Sequence, residues 1–215
     1  MNSVRGTLYT ISAPSGAGKT TLVKALAHSD PQVRVSVSHT TRPKRDGEIE
    51  GVDYHFVDSV TFDSMVVDDA FLEYATVFGN CYGTSKNWVI DELQAGHDVI
   101  LEIDWQGAQQ AHQWLAQDLK VSGVGIFILP PSLAVLRQRL TDRGQDDAGV
   151  IVSRMEEAVE EMSHYDQADF LLVNDNLEIA LEELASIFRV QRLSLQAKQH
   201  QHHDLLAELL SGAGQ

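Results

Sequence analysis

The sequence predicts an α/β fold in which helices cover both faces of a parallel β-sheet, with a small mixed-β insert and a helical lid added to this three-layer core. Apolar, β-rich runs alternate with helical patterns, and a Gly-rich loop joins the first run to the first helix. Two segments, 40–84 and 144–149, break this alternation and predict the insert and the lid. With 215 residues, 43% of them hydrophobic, the chain can bury a sizeable core.

The first strand is predicted at 8–12, and apolar residues at helical spacing follow at 21–27. In the loop between them, Gly16 and Gly18 have no Cβ, so backbone N–H groups can turn inward around a phosphate. Lys19 can bridge the β- and γ-phosphates of a nucleotide, and Thr20 can offer its hydroxyl to Mg²⁺. The loop therefore predicts a nucleotide ligand.

The residues assigned to this phosphate-binding loop are Ala13, Pro14, Ser15, Gly16, Ala17, Gly18, Lys19, Thr20 and Thr21. Ala13 stands where the motif usually begins with Gly, which excludes a Gly-only conformation at the entry of the loop.

The remaining core elements follow in order. Buried strands are predicted at 34–38, 98–103, 125–129 and 170–173, because a strand with one face open to solvent would alternate apolar and polar residues. Helices are predicted at 85–95, 108–115, 132–143 and 150–163. In the last of these, the apolar stripe is Ile151, Met155, Val159 and Met162, and the glutamates at 156, 157, 160 and 161 are placed on a solvated face.

The two irregular segments differ in character. Short strand-like pieces at 54–57 and 71–74 predict a mixed-β insert. Segment 144–149 is polar and bounded by glycines, and it lies between two helices that carry arginines, which favours a hinged lid.

The net charge of −15 argues against a nucleic-acid polymer as partner, since such proteins present basic surfaces. Basic residues are nevertheless clustered at 42–45 and 137–154, where they either focus a small anion in a cleft or form a solvated surface. The single Cys81 excludes an internal disulfide framework, and no apolar run approaches the roughly 20 residues that span a bilayer. We therefore expect a cytoplasmic protein without a membrane partner.

Several separated motifs closely resemble guanylate kinases. Segment 36–48, SVSHTTRPKRDGE, with 51–54, GVDY, 71–74, FLEY, and 79–84, GNCYGT, is similar to the nucleotide-acceptor region of that family. Segment 101–107, LEIDWQG, resembles its strand beside the phosphates. The resemblance runs from about Gly6 to Phe188. It implies a P-loop kinase core at 6–38 and 85–188, a lid around 139–154, a GMP-binding insert at 39–84 and a helical extension at 189–215.

The resemblance also implies an acceptor site for GMP. In the family, residues matching Arg42, Arg45, Tyr54 and Tyr82 bind the acceptor phosphate, and guanidinium forks suit phosphate oxygens. Guanine offers donors at N1 and at its exocyclic amine, and Glu73 can accept both. The other residues assigned to the GMP site are Ser38, Thr84, Glu102 and Asp104.

Glu102 and Asp104 lie two residues apart at the end of a strand, so they share a face, where carboxylates meet guanine or Mg²⁺-bound water. The family more often carries an aspartate pair there. We predict Thr20 as the Mg²⁺ ligand and Asp104 as a contact through water.

On the donor side, the matching arginines in guanylate kinases approach the phosphates on lid closure, and a match to Asn174 lies near the donor adenine. The predicted catalytic set is Lys19, Arg42, Arg139, Arg143 and Arg154. The predicted reaction transfers the γ-phosphoryl of ATP to GMP, and to dGMP, forming ADP and GDP with Mg²⁺ as cofactor.

Two other functions are compatible with parts of the pattern. Guanylate-kinase-like domains also serve as protein-binding modules in scaffolds, but such modules need not retain a donor loop like that around Lys19. A kinase of another phosphorylated acceptor, such as a ribose phosphate, would need no guanine reader at Glu73.

Past the family core, leucines at 195, 205, 206, 209 and 210 predict an amphipathic helix. It would pack either on the core or on another subunit of a homo-oligomer. His200, His202 and His203 form a Gln/His-rich patch that we interpret as a solvated helix rather than a metal site.

Overall fold

The main sheet has five parallel strands, as predicted. The structure, a computed structural model, describes residues 6–77, 79–117, 121–142 and 148–211. The strands are β1 (Thr7–Ser12), β2 (Val33–Val35), β7 (Asp98–Glu102), β8 (Ser122–Leu129) and β9 (Phe170–Val173). Their order is β2-β7-β1-β8-β9, and every neighbouring pair is parallel.

Helices cover both faces of this sheet. Against one face lie α1 (Lys19–Ser29) and α7 (Leu177–Arg192), and against the other lie α3 (Lys86–Gln94) and α4 (Trp105–Gln117). Tyr9 of β1 stacks on Phe188 of α7, with ring centroids 3.7 Å apart. The predicted three-layer core is confirmed, although α7 is absent from the helices that the sequence predicts.

The sheet brings two loops together at its carboxyl edge. Ile11 near the end of β1 pairs with Glu102 at the end of β7. Because the two strands are parallel, the loop after β1 and the segment after β7 leave the sheet side by side. In open α/β sheets, this edge is where ligands bind.

A second, four-stranded sheet forms the insert. Its strands are β3 (His39–Thr40), β4 (His55–Phe56), β5 (Phe71–Val77) and β6 (Asn80–Ser85), in the order β4-β3-β6-β5. The β3–β4 pair is parallel and the other two pairs are antiparallel, so the predicted mixed sheet is confirmed.

The insert also contains a helix that the sequence analysis does not predict, α2 (Ser59–Val67). Asp58 caps its N-terminus by accepting a hydrogen bond from the Thr61 N–H.

Two helices form the arms of the predicted lid, α5 (Leu133–Asp142) and α6 (Ala148–Met162). They pack through Leu136 and Leu140 of α5 and Met155 and Ala158 of α6. The predicted stripe is wrong at Val159, which is 51% exposed. A helical face repeats at alternating steps of three and four residues, so Ala158, three residues after Met155, takes that place.

Two further corrections concern the strands at the edges of the sheet. We predicted a buried strand at 34–38, but β2 spans only Val33–Val35 and only Val33 in it is buried. The second correction concerns β9. We predicted a strand buried on both faces, but Phe170, Leu171 and Val173 are exposed and only Leu172 is buried. The strand lies at the edge of the sheet, where fewer elements cover it.

The chain ends in α8 (Leu195–Gln201) and α9 (His203–Ser211). Helix α7 runs through the boundary that we place at residue 189, and its Arg192 forms ion pairs with Asp30 and Asp98. Within the described ranges, no helix combines the length and the apolar character that crossing a membrane requires.

Candidate active site

The loop after β1 adopts the backbone conformation that its glycines permit. Gly16 has φ of 92° and Gly18 has φ of 95°, values that residues with a Cβ rarely adopt. Helix α1 begins immediately after Gly18, so the positive end of its dipole lies at the loop. The Ala17 N–H donates to the Pro14 carbonyl, which closes a turn within the loop.

Asn174, which directly follows β9, holds this loop in place through a hydrogen bond. Its side chain is 4% exposed, and its Nδ2 donates a hydrogen bond of 2.7 Å to the Ala17 carbonyl. Arg139 of α5 donates to the same carbonyl at 3.3 Å and to the Asn174 carbonyl at 3.0 Å. The loop is therefore fixed by two residues that lie more than 100 positions further along the chain.

A cleft of about 440 Å³ opens beside this loop. Its lining includes Gly16, Gly18, Thr21, Arg139, Asn174 and Asp175. Four of the residues assigned to ATP, Gly16, Gly18, Thr21 and Asn174, thus share one depression with the predicted catalytic Arg139. We call it the donor cleft.

Gly18→Ala is expected to disrupt the donor cleft. A Cβ at this position would lie 2.3 Å from Asn174 Nδ2, and the backbone has a positive φ. We expect a loss of 1–3 kcal/mol in unfolding free energy, of the order of backbone strain at such sites, and a loss of ATP binding. Urea unfolding and calorimetric ATP titration measure the two effects. Gly47→Ala is the control, because its φ of 86° is similar but no atom lies within 4 Å of the added Cβ.

Lys19 and Thr20 point toward the segment after β7. The Lys19 ammonium donates to the Ile103 carbonyl at 3.1 Å, and the Thr20 hydroxyl donates to Glu102 Oε2 at 2.8 Å. Burial lowers the pKa of Lys19, while nearby carboxylates, Glu102 foremost, oppose that shift. The adjacent strand ends thus orient the Lys19 ammonium next to the phosphate loop, where its positive charge can neutralise a phosphate.

A second cleft, of about 410 Å³, lies between the phosphate loop and the insert. Lys19, Thr20 and Glu102 line its core side, and Ser38, Glu48 and Tyr54 line its insert side. We call it the acceptor cleft. Residues 16–21 therefore separate the two clefts, because Gly16, Gly18 and Thr21 face the donor side.

Arg42 is held by a carboxylate to which the sequence analysis assigned no role. Its guanidinium donates to both oxygens of Glu48, at 3.2 and 2.5 Å, and Glu48 also accepts from the Arg45 backbone N–H at 2.7 Å. The hydrogen bonds to Glu48 raise the pKa of Arg42. The guanidinium carbon lies 5.3 Å from the Tyr54 ring centroid, and the Tyr54 and Tyr82 centroids are 5.9 Å apart.

Glu73 lies in a buried polar pair. The Thr84 hydroxyl donates a hydrogen bond of 2.5 Å to Glu73 Oε1. Thr84 is 0% exposed and Glu73 is 4% exposed. Burial raises the pKa of Glu73 to about 7. A Cβ at position 107 would lie 2.9 Å from Glu73 Oε2, so Gly107 admits this carboxylate against the start of α4. Thr84 thus orients Glu73.

Two predicted residues, Arg45 and Asp104, are placed differently from the rest. The Arg45 side chain is exposed. Asp104 Oδ1 accepts a hydrogen bond from the Gly107 N–H at 2.8 Å, and the carboxylate next to the Thr20 hydroxyl is that of Glu102. Arg143 and most of the hinge at 144–149 lie outside the described residues, whereas Arg154 lies on α6.

Glu161 departs from its predicted place on a solvated face. It is partly buried on α6, and its Oε1 accepts a hydrogen bond from the Trp105 N–H at 3.1 Å. The sequence carries a weak signal for this, because Glu161 lies three residues after apolar Ala158 and therefore on the same face of the helix.

The comparisons with known proteins agree with this geometry. The family model described as guanylate kinase matches residues 5–191. A guanylate kinase of Saccharophagus degradans is 57% identical over 206 residues, covering 96% of this chain and 98% of that protein. One from Pseudomonas syringae pv. syringae is 54% identical over 219 residues, covering 98% and 100%.

Among solved structures, the guanylate kinase of Anaplasma phagocytophilum superposes with a TM-score of 0.73 at 31% identity, covering 92% of each chain. The family match spans the phosphate loop, the insert and both lid helices. The chain belongs to the guanylate kinase family.

Proposed function

We propose that this protein transfers the γ-phosphoryl group of ATP to GMP, producing ADP and GDP. One observation carries the proposal: two clefts lie on opposite sides of loop residues 16–21. Gly16, Gly18 and Thr21 line the donor cleft, and Lys19 and Thr20 line the acceptor cleft, beside an arginine and two tyrosines of the insert. Such an arrangement fits two phosphorylated ligands that approach the same point from opposite sides.

ATP is assigned to the donor cleft. Backbone N–H groups of the loop and the N-terminus of α1 would surround its phosphates. Asn174 and Arg139 support the loop from behind through the Ala17 carbonyl, so Asn174 would contribute mainly by shaping this cleft. Arg154, on α6, and Arg143 are proposed to approach the transferring phosphoryl on closure.

GMP is assigned to the acceptor cleft. Arg42, Arg45, Tyr54 and Tyr82 are proposed to bind its phosphate, with Glu48 holding the Arg42 fork in orientation before GMP arrives. Glu73 is proposed to accept the N1–H and the exocyclic amine of guanine. Ser38 and Thr84 would supply hydroxyls, with Thr84 acting through its hydrogen bond to Glu73.

The chemistry needs positioning and charge neutralisation rather than a general base. A phosphomonoester has a second pKa of roughly 6, so the attacking oxygen of GMP is already ionised near neutral pH. Two anionic ligands repel each other, and Lys19 with the lid arginines would neutralise charge on the moving phosphoryl. Arg42 would hold the nucleophile in line. Lid closure would keep water from the γ-phosphate.

Kinases that use ATP generally need a divalent metal, and we propose Mg²⁺ here. The residues present fit such an ion, because the Thr20 hydroxyl at the start of α1 and the Glu102 carboxylate at the end of β7 are hard oxygen ligands in direct contact. Asp104 would contact the ion through water. The ion would supply charge compensation for the β- and γ-phosphates.

Three finer assignments complete the proposal. We propose dGMP as a second acceptor, since the recognition residues named above are assigned to the base and the phosphate and none is assigned to the ribose. A cytoplasmic location follows from ATP and GMP as substrates. The exposed leucines of α9, Leu205, Leu206, Leu209 and Leu210, would serve contacts within a homo-oligomer.

A coupled assay of ADP release with ATP and a panel of nucleoside monophosphates tests the function. GMP should give the highest kcat/KM, dGMP should follow, and AMP and UMP should be poor. Equal rates with all four acceptors, or no ADP release with GMP, would refute the proposal. A protein-binding module would release no ADP, and a kinase of ribose phosphate would prefer a sugar phosphate over GMP.

A further inference from the structure

The segment that follows β7 orients Lys19. Its Ile103 carbonyl accepts a hydrogen bond of 3.1 Å from the Lys19 ammonium, and the Ile103 N–H donates a hydrogen bond of 3.3 Å to the Ile11 carbonyl. The position of this short segment, 103–105, therefore decides where the ammonium lies relative to the phosphate loop.

The end of α6 clamps the same segment. Glu161 Oε1 accepts from the Trp105 N–H at 3.1 Å, and the His164 ring stacks on the Trp105 indole with centroids 3.7 Å apart and planes 14° apart. Below them, Gln109 of α4 donates to Gln167 at 2.9 Å. Three consecutive contacts thus tie α4 to the chain from 161 to 167.

Helix α6 also carries a lid arginine. Arg154 precedes Glu161 by seven residues, or two helical turns, so both residues lie on the same side of α6. The same helix packs through Met155 and Ala158 against α5, which carries Arg139. A contact at position 161 therefore sets the position of the lid helices relative to Lys19.

The hydrogen bond at Glu161 does not depend on its charge. Trp105 is the first residue of α4, so its N–H has no acceptor within the helix. Burial raises the pKa of Glu161 to about 7, with nearby Asp104 adding to the shift and Lys19 opposing it. Both the carboxylate and the carboxylic acid offer an oxygen to the Trp105 N–H. A neutral amide of the same length can do the same.

We propose that Glu161 is a positioning residue for phosphoryl transfer: its hydrogen bond to the Trp105 N–H, with the stack of Trp105 on His164, fixes segment 103–105 and thereby Lys19 relative to the lid arginines. Glu161 acts through Ile103 and Lys19 and contacts no substrate itself. The inference rests on the proposed function and adds to it a link between lid and phosphate loop.

Four variants test this role, in the coupled assay with ATP and GMP at pH 8. Glu161→Ala removes the acceptor oxygen, Glu161→Asp shortens the side chain by one methylene, and Glu161→Gln keeps both the acceptor oxygen and the length of the side chain. We expect kcat to fall roughly 10- to 100-fold in the Ala and Asp variants, the cost of a small misplacement, with KM for GMP within about twofold of wild type. The Gln variant should retain kcat within about threefold of wild type. Glu160→Ala, on the exposed neighbour, should match wild type.

Hydrogen exchange of the Trp105 amide gives a readout that does not depend on turnover. Protection should be lost in the Ala and Asp variants and kept in the Gln variant. Three results would overturn the proposal: wild-type kcat in the Ala and Asp variants, a kcat in the Gln variant as low as that of the Ala variant, or a rise in KM for GMP in the Ala and Asp variants without a change in kcat. An inactive wild-type protein would instead refute the proposed function. If the Ala variant does not fold, the comparison of kcat between the Asp and Gln variants still tests the proposal.

Discussion

Replacing Lys19 with alanine is expected to lower kcat for GMP phosphorylation on the order of 10³-fold, comparable with the loss of other groups that stabilise a transferring phosphoryl. The ammonium is oriented by the Ile103 carbonyl and lies near the carboxylates of Glu102, Asp104 and Glu161. Lys19 lines the acceptor cleft and directly follows Gly18, which lines the donor cleft. Its removal leaves two phosphate groups to repel each other at the point of transfer.

The fold should not suffer from this change. Burial lowers the pKa of Lys19, so the folded state holds the charged ammonium at a cost relative to the unfolded chain. The melting temperature of Lys19→Ala should therefore equal or exceed that of wild type. Lys198→Ala, on α8 with a hydrogen bond to Gln201, is the matched control and should keep full activity. A kcat close to wild type in Lys19→Ala would remove Lys19 from the catalytic set.

Glu73→Gln should reduce the preference for GMP over AMP by 10²-fold or more, as expected where a buried group is built to pair with a substrate. A glutamine presents one acceptor and one donor to a base that offers two donors. AMP gains from the change because adenine has no N–H at N1, so the kcat/KM for GMP falls while that for AMP holds or rises. Unchanged selectivity would exclude Glu73 as the base reader. Asp63→Asn, an exposed change on α2, serves as the control.

The pKa of Glu73, about 7, predicts how GMP affinity varies with pH. Guanine requires the ionised carboxylate, so KM for GMP should rise as the pH falls through 7. The part of this rise that is centred on pH 7 should vanish in Glu73→Gln, whereas the part due to the GMP phosphate, centred on roughly pH 6, should remain.

Stability without GMP should change in the opposite sense. The folded state binds the proton of Glu73 more tightly than the unfolded chain, whose glutamate titrates near 4.5, so this group destabilises the protein as the pH rises from about 4.5 to 7. Glu73→Gln keeps an acceptor for the Thr84 hydroxyl and removes this cost. Its melting temperature at pH 8 should therefore exceed that of wild type. A lower value would contradict the assignment of burial as the cause.

Much of the site is local in sequence, and this part is predictable. Gly16, Gly18 and Lys19 stand at fixed spacings in one loop, and their conformation depends on absent Cβ atoms and on the helix that follows. The strands of the core were equally predictable, because buried parallel strands are continuous apolar runs. The residues of the acceptor side, such as Arg42, Tyr54 and Glu73, required the family resemblance as well, since each alone resembles a surface or core residue.

Contacts between distant segments were decided by the tertiary structure alone. Nothing local to Asn174 indicates that its amide reaches the Ala17 carbonyl, 157 residues earlier. The helical pattern of α6 placed Glu161 among solvated glutamates, but its packing on α5 rotates Ala158 inward and brings Glu161 to Trp105.

The sequence by itself therefore predicted which residues would carry the phosphate chemistry and in which order the strands of the core follow. The tertiary structure decided which groups the carboxylates contact: Glu48 accepts from the Arg42 guanidinium, Glu102 accepts from the Thr20 hydroxyl, and Glu161 accepts from the Trp105 N–H. The physical reason is that propensity and periodicity act over a few residues, whereas these pairs form only where the packed sheets and helices bring separate segments within hydrogen-bond distance.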